Sequence, residues 1–143
     1  MKNNKSDLKN KGFSLIELLV VLAILGMLAT VVGPRVMKYL GSSKVDTARL
    51  QIEELVAAIE LYRLEVGEYP AAANGVKSLV VKPAGTENWN GPYLRKTVVP
   101  KDPWGNDFIY VYPGKHGDFD IISYGADKAE GGEGEAQDIV SWK

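Results

Sequence analysis

From Phe13 to Val32 the chain runs through 20 residues of which only Ser14, Glu17 and Thr30 are polar. As a helix rising 1.5 Å per residue, such a run reaches roughly 30 Å, enough to cross a bilayer. It lacks the polar stripe that a core helix of this length would turn to solvent. The pattern then changes. Val45, Ala48, Ile52, Leu55, Ile59, Tyr62 and Val66 recur at spacings of three and four, one face of an amphipathic helix, with Arg49, Glu53, Glu54, Glu60 and Arg63 on the other faces. The repeats are too few for a free coiled coil, so the stripe is expected to pack on the chain's own sheet. Gly67 and Pro70 supply a stop signal. One helix from about Phe13 to Val66 is expected, kinked or loosened between Gly26 and Pro34, because Pro34 lacks an amide donor and crowds the preceding turn.

Beyond Tyr69 the chain is rich in Pro, Gly and Asn as far as Trp104, with a short helix expected near Val76 to Val81. Strands are expected at Phe108 to Tyr112, Phe119 to Tyr124 and Ile139 to Trp142, the first two joined through Pro113 to Gly117. At 143 residues there is room for one small core and an added element.

Charge divides the chain. The formal net charge of −1 splits into +3 over the first twelve residues, which carry Lys2, Lys5, Lys9 and Lys11, and −4 over the rest. A basic leader before an apolar span stays in the cytoplasm and directs the residues after Pro34 outward. The acidic remainder lacks the clustered Lys and Arg that neutralise phosphates, so no nucleic-acid partner is expected. Glu17 is the costly residue of the span, since an ionisable side chain there marks a function or a partner. It stands one helical turn beyond Phe13.

Lys11-Gly12-Phe13-Ser14-Leu15-Ile16-Glu17 resembles the cleavage motif of the type IV pilin and type II secretion pseudopilin superfamily. The resemblance implies a prepilin peptidase that cuts after Gly12 and methylates Phe13. It also implies that Glu17 meets the terminal amine of a neighbouring subunit, and that the segment around Pro34 melts on assembly. Tyr69-Pro70, Asn74-Gly75 with Leu79, Gly91-Pro92-Tyr93-Leu94, Asp102-Pro103-Trp104-Gly105-Asn106, Pro113-Gly114 and Ser123-Tyr124-Gly125-Ala126-Asp127 narrow it to the major pseudopilin of the type II system. Lys128 departs from the glycine common there, and Gln137 stands among family acids.

The expected architecture is an α+β pilin-like fold, a long helix on a small antiparallel sheet with a C-terminal metal-binding loop. Residues 1–12 form the leader, 13–34 the transmembrane and filament-core helix, and 35–143 the periplasmic domain. The resemblance implies a single-pass inner-membrane protein that polymerises with itself through its N-terminal helices and works with minor pseudopilins. An inner-membrane assembly platform with a cytoplasmic ATPase would drive it. The competing readings are a type IV pilin of a surface fibre and a monomeric membrane protein whose acidic loop senses calcium.

Between Asp118 and Asp138 seven acidic residues stand against Lys128 alone, among several glycines. Oxygen ligands on a flexible loop suit calcium, but the spacing is not that of an EF-hand, and composition alone favours a solvated acidic loop. The resemblance implies calcium held by Asp127 and Asp138, with the carbonyl of Tyr124 as a further ligand. No enzyme is expected. There is no cysteine, the single histidine, His116, falls in a turn as a surface residue, and Gly131-Gly132-Glu133-Gly134 lacks the ending of a phosphate loop. Tyr62, Trp89, Tyr93 and Trp104 are expected to pack beneath loops.

Overall fold

A computed structural model describes residues 12–143; the basic leader, but for Gly12, lies outside the described residues. Helix α1 spans Leu15–Val66. Its helical hydrogen bonding continues past Gly26 and Gly33, with Pro34 inside, so the expected loosening does not interrupt it. One proline deletes one amide donor, and the bonds on either side hold the turn.

The chain divides into two compact units, the first ending at Lys38 and the second Tyr39–Lys143. In the first, the helix is apolar on all sides and exposed. It is long and apolar enough to cross a membrane, and none of its most apolar 18-residue window is buried.

In the second unit the expected stripe is the core. Val45, Ala48, Ile52, Leu55, Ile59 and Tyr62 are buried, joined by Ala58, and Val66 packs at the edge. The helix ends where the Gly67 amide donates to the Arg63 carbonyl at 2.8 Å. Against the stripe lie Leu79, Leu94, Phe108, Ile121 and Ile139. Burying a side chain such as Leu55 or Ile59 contributes about 1.5–3 kcal/mol, which makes this face the main source of cohesion.

The sheet has three short antiparallel strands in the order β1 (Ile109–Val111), β2 (Asp120–Ser123) and β3 (Ile139–Val140). Tyr110 pairs with Ile121, and Ser123 with Ile139. Each strand is shorter than its apolar run. Phe108 is buried as a core side chain without joining the ladder. The expected short helix is a 3-10 turn at Gly75–Leu79.

The connecting region is ordered by aromatic residues. Trp89 Nε1 donates to the Ser78 carbonyl at 2.8 Å, the Tyr93 amide donates to the Leu79 carbonyl at 2.7 Å, and the Tyr93 hydroxyl reaches Glu65 Oε2 at 2.7 Å. Tyr62 meets Tyr93 edge-on at 5.6 Å.

Candidate functional site

The candidate residues fall in two regions, one in each unit. At the N-terminal end Gly12, Phe13 and Ser14 are non-helical, and α1 opens at Leu15. Ser14 acts as the cap. Its Oγ accepts the Ile16 amide at 3.3 Å, and its carbonyl accepts the amides of Glu17 and Leu18 at 3.1 and 3.2 Å. Phe13 is 78% exposed, so the Gly12–Phe13 bond lies in accessible, non-helical chain. Glu17 stands in the first helical turn. Pro34, more than four turns further on, belongs to a different part of the helix.

The second region is the loop between β2 and β3. It is fastened at both ends by the turn Asp102–Asn106. Asp102 is buried; its Oδ1 accepts the amides of Trp104 and Asn106 at 3.1 and 2.7 Å, and its Oδ2 accepts the Ser123 hydroxyl at 2.7 Å. So anchored, the turn extends Asn106 Nδ2 to the Gly125 carbonyl at 3.0 Å and Trp104 Nε1 to Glu135 Oε2 at 2.9 Å. Gly125 has φ +63°, and a Cβ there would stand 2.4 Å from the Glu135 carbonyl, so no larger residue fits.

Of the seven acids in this stretch, three are engaged elsewhere. The Asp118 carboxylate and Glu60 flank the Tyr69 hydroxyl, at 2.9 and 3.2 Å, and Arg63 Nη1 donates to that hydroxyl at 2.7 Å. Burial, with the hydrogen bonds to Asp118 and Glu60, pushes Tyr69 up to about 12, so it remains a donor. Asp120 is buried beneath the β1–β2 turn. Burial opposes its ionisation, but the amides of Lys115 and His116 and the His116 ring outweigh this and hold its carboxyl below the usual range. Its contribution to stability is therefore present above the unfolded pKa and lost as pH falls through the lower folded value. His116 is exposed in its turn, as expected, and its ring stacks on Trp142 at 3.8 Å. Glu135 is bound to Trp104 and Lys44.

The candidate metal residues are differently placed. Asp127 is exposed, its Oδ1 accepting the Ala129 amide at 3.2 Å. Asp138 Oδ2 accepts the Gly131 amide at 2.9 Å, whereas its Oδ1 is buried without a partner. Tyr124 is partly buried at the loop's start and lines an open groove with Asn106 and Lys128. Among the described residues no three acidic, histidine or cysteine side chains converge on one point. A cation held here would therefore draw several ligands from carbonyls, as calcium does. The unpartnered Asp138 oxygen beside a glycine-rich backbone fits that donor set.

A family model described as "Type II secretion system (T2SS), protein G" matches residues 35–142. The chain belongs to this family. A second model, "Prokaryotic N-terminal methylation motif", matches residues 7–33. The type II secretion system core protein G of Pseudomonas aeruginosa is 44% identical over 138 residues, covering 94% of this chain and 96% of that protein. Its counterpart in Vibrio cholerae is 40% identical over 137 residues, covering 94% and 92%. The crystal structure of the major pseudopilin from the type 2 secretion system of enterohaemorrhagic Escherichia coli aligns with a TM-score of 0.62 at 30% identity. It covers 74% of this chain and 92% of that one.

Lys128 has φ +60°, the one non-glycine residue with positive φ among those described. A side chain in that conformation costs about 1–2 kcal/mol, partly offset by the greater entropy glycine brings to the unfolded chain. Lys128→Gly is therefore expected to raise stability by about 0.5–1 kcal/mol, measured by urea denaturation. A loss of stability would show that the lysine side chain makes a compensating contact.

Proposed function

We propose that this chain is the structural major subunit of a type II secretion pseudopilus, which polymerises into a filament driving folded proteins across the outer membrane. The observation that carries the reading is an exposed helix, long and apolar enough to cross a membrane, with Glu17 in its first turn, on a chain whose packed domain is of the protein G family. The leader through Gly12 is removed by a prepilin peptidase, Phe13 becomes the methylated terminus, and Glu17 pairs with the terminal amine of a neighbouring copy. The helix around Pro34 yields when copies pack. The subunit sits in the inner membrane as a single span with residues 35–143 in the periplasm, and joins minor pseudopilins and an assembly platform. The family is one of structural subunits. The mechanical work comes from a cytoplasmic ATPase, since the sequence has no nucleotide-binding signature. Deleting the gene is expected to abolish export of folded proteins and leave twitching intact; the reverse outcome would refute the reading.

Calcium is the proposed cofactor, held by Asp127, Asp138 and the Tyr124 carbonyl. It would supply a fixed positive charge that orders a loop whose carboxylates otherwise repel. At a hundredfold excess over Kd, a ligand that binds only the folded state stabilises it by about 2.7 kcal/mol. Chelation is expected to lower the melting temperature by on the order of 10 °C and to expose residues 127–138 to protease. Asp127→Ala and Asp138→Ala should remove the response, and magnesium should substitute poorly because it demands near-octahedral geometry. Identical melting in calcium and in chelator would refute the site.

A further inference from the structure

One side chain of the β2–β3 loop reaches α1. Glu135 Oε2 accepts Trp104 Nε1 at 2.9 Å and Lys44 Nζ at 3.4 Å. Its Cγ and Oε1 occupy the space above Gly41, where a Cβ would stand 2.7 Å from both atoms. Its backbone belongs to the loop's internal bonding, the Ala126 amide donating to the Glu135 carbonyl at 2.8 Å. The Trp104 indole holds the Glu135 carboxyl below the usual range, outweighing the opposing effect of desolvation, and Lys44 adds to this.

A Glu135–Lys44 pair alone would be an exposed ion pair of little worth. Here the carboxylate is also fixed by an indole donor and by close seating on a residue without a side chain, and its backbone is set by the loop's own order. The loop's order in turn depends on Asp138, one oxygen of which is tied to Gly131 while the other is buried without a partner. If the loop loosens, Trp104 and Lys44 lose a shared acceptor together, and the covering over Gly41 goes with it.

We propose that Glu135 couples the state of the 125–138 loop to α1 at Gly41–Lys44, so that an ion held by the loop is registered as a firmer helix there. This rests on the calcium reading and adds a residue that transmits binding without ligating the ion.

The test uses the full chain, isotope-labelled in detergent micelles, with Trp104→Phe identifying the Trp104 indole resonance. Chelating calcium from the wild type should shift that resonance and speed amide exchange at Gly41–Val45 about tenfold. Glu135→Ala in saturating calcium should show the same fast exchange while binding calcium, by calorimetry, within about twofold of wild type. Gly41→Ala, which displaces the carboxylate from the other side, should behave likewise. If chelation lowers the melting temperature but leaves exchange at Gly41–Val45 unchanged, the coupling is overturned and the calcium reading stands. Loss of calcium binding in Glu135→Ala would make Glu135 a ligand and also overturn the coupling. A wild type that binds no calcium overturns the calcium reading and the coupling with it.

Discussion

Replacing Asp102 with alanine is expected to destabilise the second unit by roughly 3–5 kcal/mol, a large part of the total for a domain of this size. The carboxyl is buried and accepts three donors at once, two amides of its own turn and the Ser123 hydroxyl on β2. Alanine leaves them unpaired where water enters poorly, and such groups cost about 1–3 kcal/mol each. The damage should spread beyond the turn, because Asn106 and Trp104 hold the two ends of the C-terminal loop. Urea denaturation followed by tryptophan fluorescence measures the loss. Asp102→Asn, which keeps an acceptor for the amides, should cost markedly less. A loss under about 1 kcal/mol for alanine would mean that water replaces the carboxyl.

Glu17→Ala is expected to leave cleavage intact and abolish filament formation. Removing a carboxylate makes membrane insertion cheaper, so an assembly fault cannot be assigned to poor entry. An amine and a carboxylate about 4 Å apart attract by roughly 4 kcal/mol at an effective dielectric of about 20. In the proposed filament that term would recur at every subunit junction, so losing even half of it would weaken each addition by more than about tenfold. Sheared filaments, quantified against processed protein in the membrane, provide the readout. Normal filaments from the mutant would show that the charge is dispensable.

The sequence pattern was most informative where one local periodicity determined the outcome. Spacings of three and four on Val45 to Tyr62 identified the buried face, and Gly67 with Pro70 marked the helix end. The apolar runs extend beyond the paired strands because Phe108 and Phe119 pack in or against the core without joining the ladder, and apolarity does not distinguish packing from pairing. Pro34 lies inside one continuous helix, as the single long helical pattern indicated. The loop was the least legible part. Its acids look alike in sequence, yet Asp118, Asp120 and Glu135 are claimed by Tyr69, the His116 turn and Trp104. Lys44 and Glu135 are 91 residues apart, and no local signal joins them. The Asp102-Pro103-Trp104-Gly105-Asn106 string was readable as a turn, but not as the clamp on the loop.

The intact mass and terminal residue of the protein isolated from membranes decide whether it is a processed pseudopilin. Processing after Gly12 gives a chain that begins at Phe13, carries one added methyl group on its amine and lacks residues 1–12. A full-length chain beginning at Met1, or one trimmed after the apolar run, would contradict it.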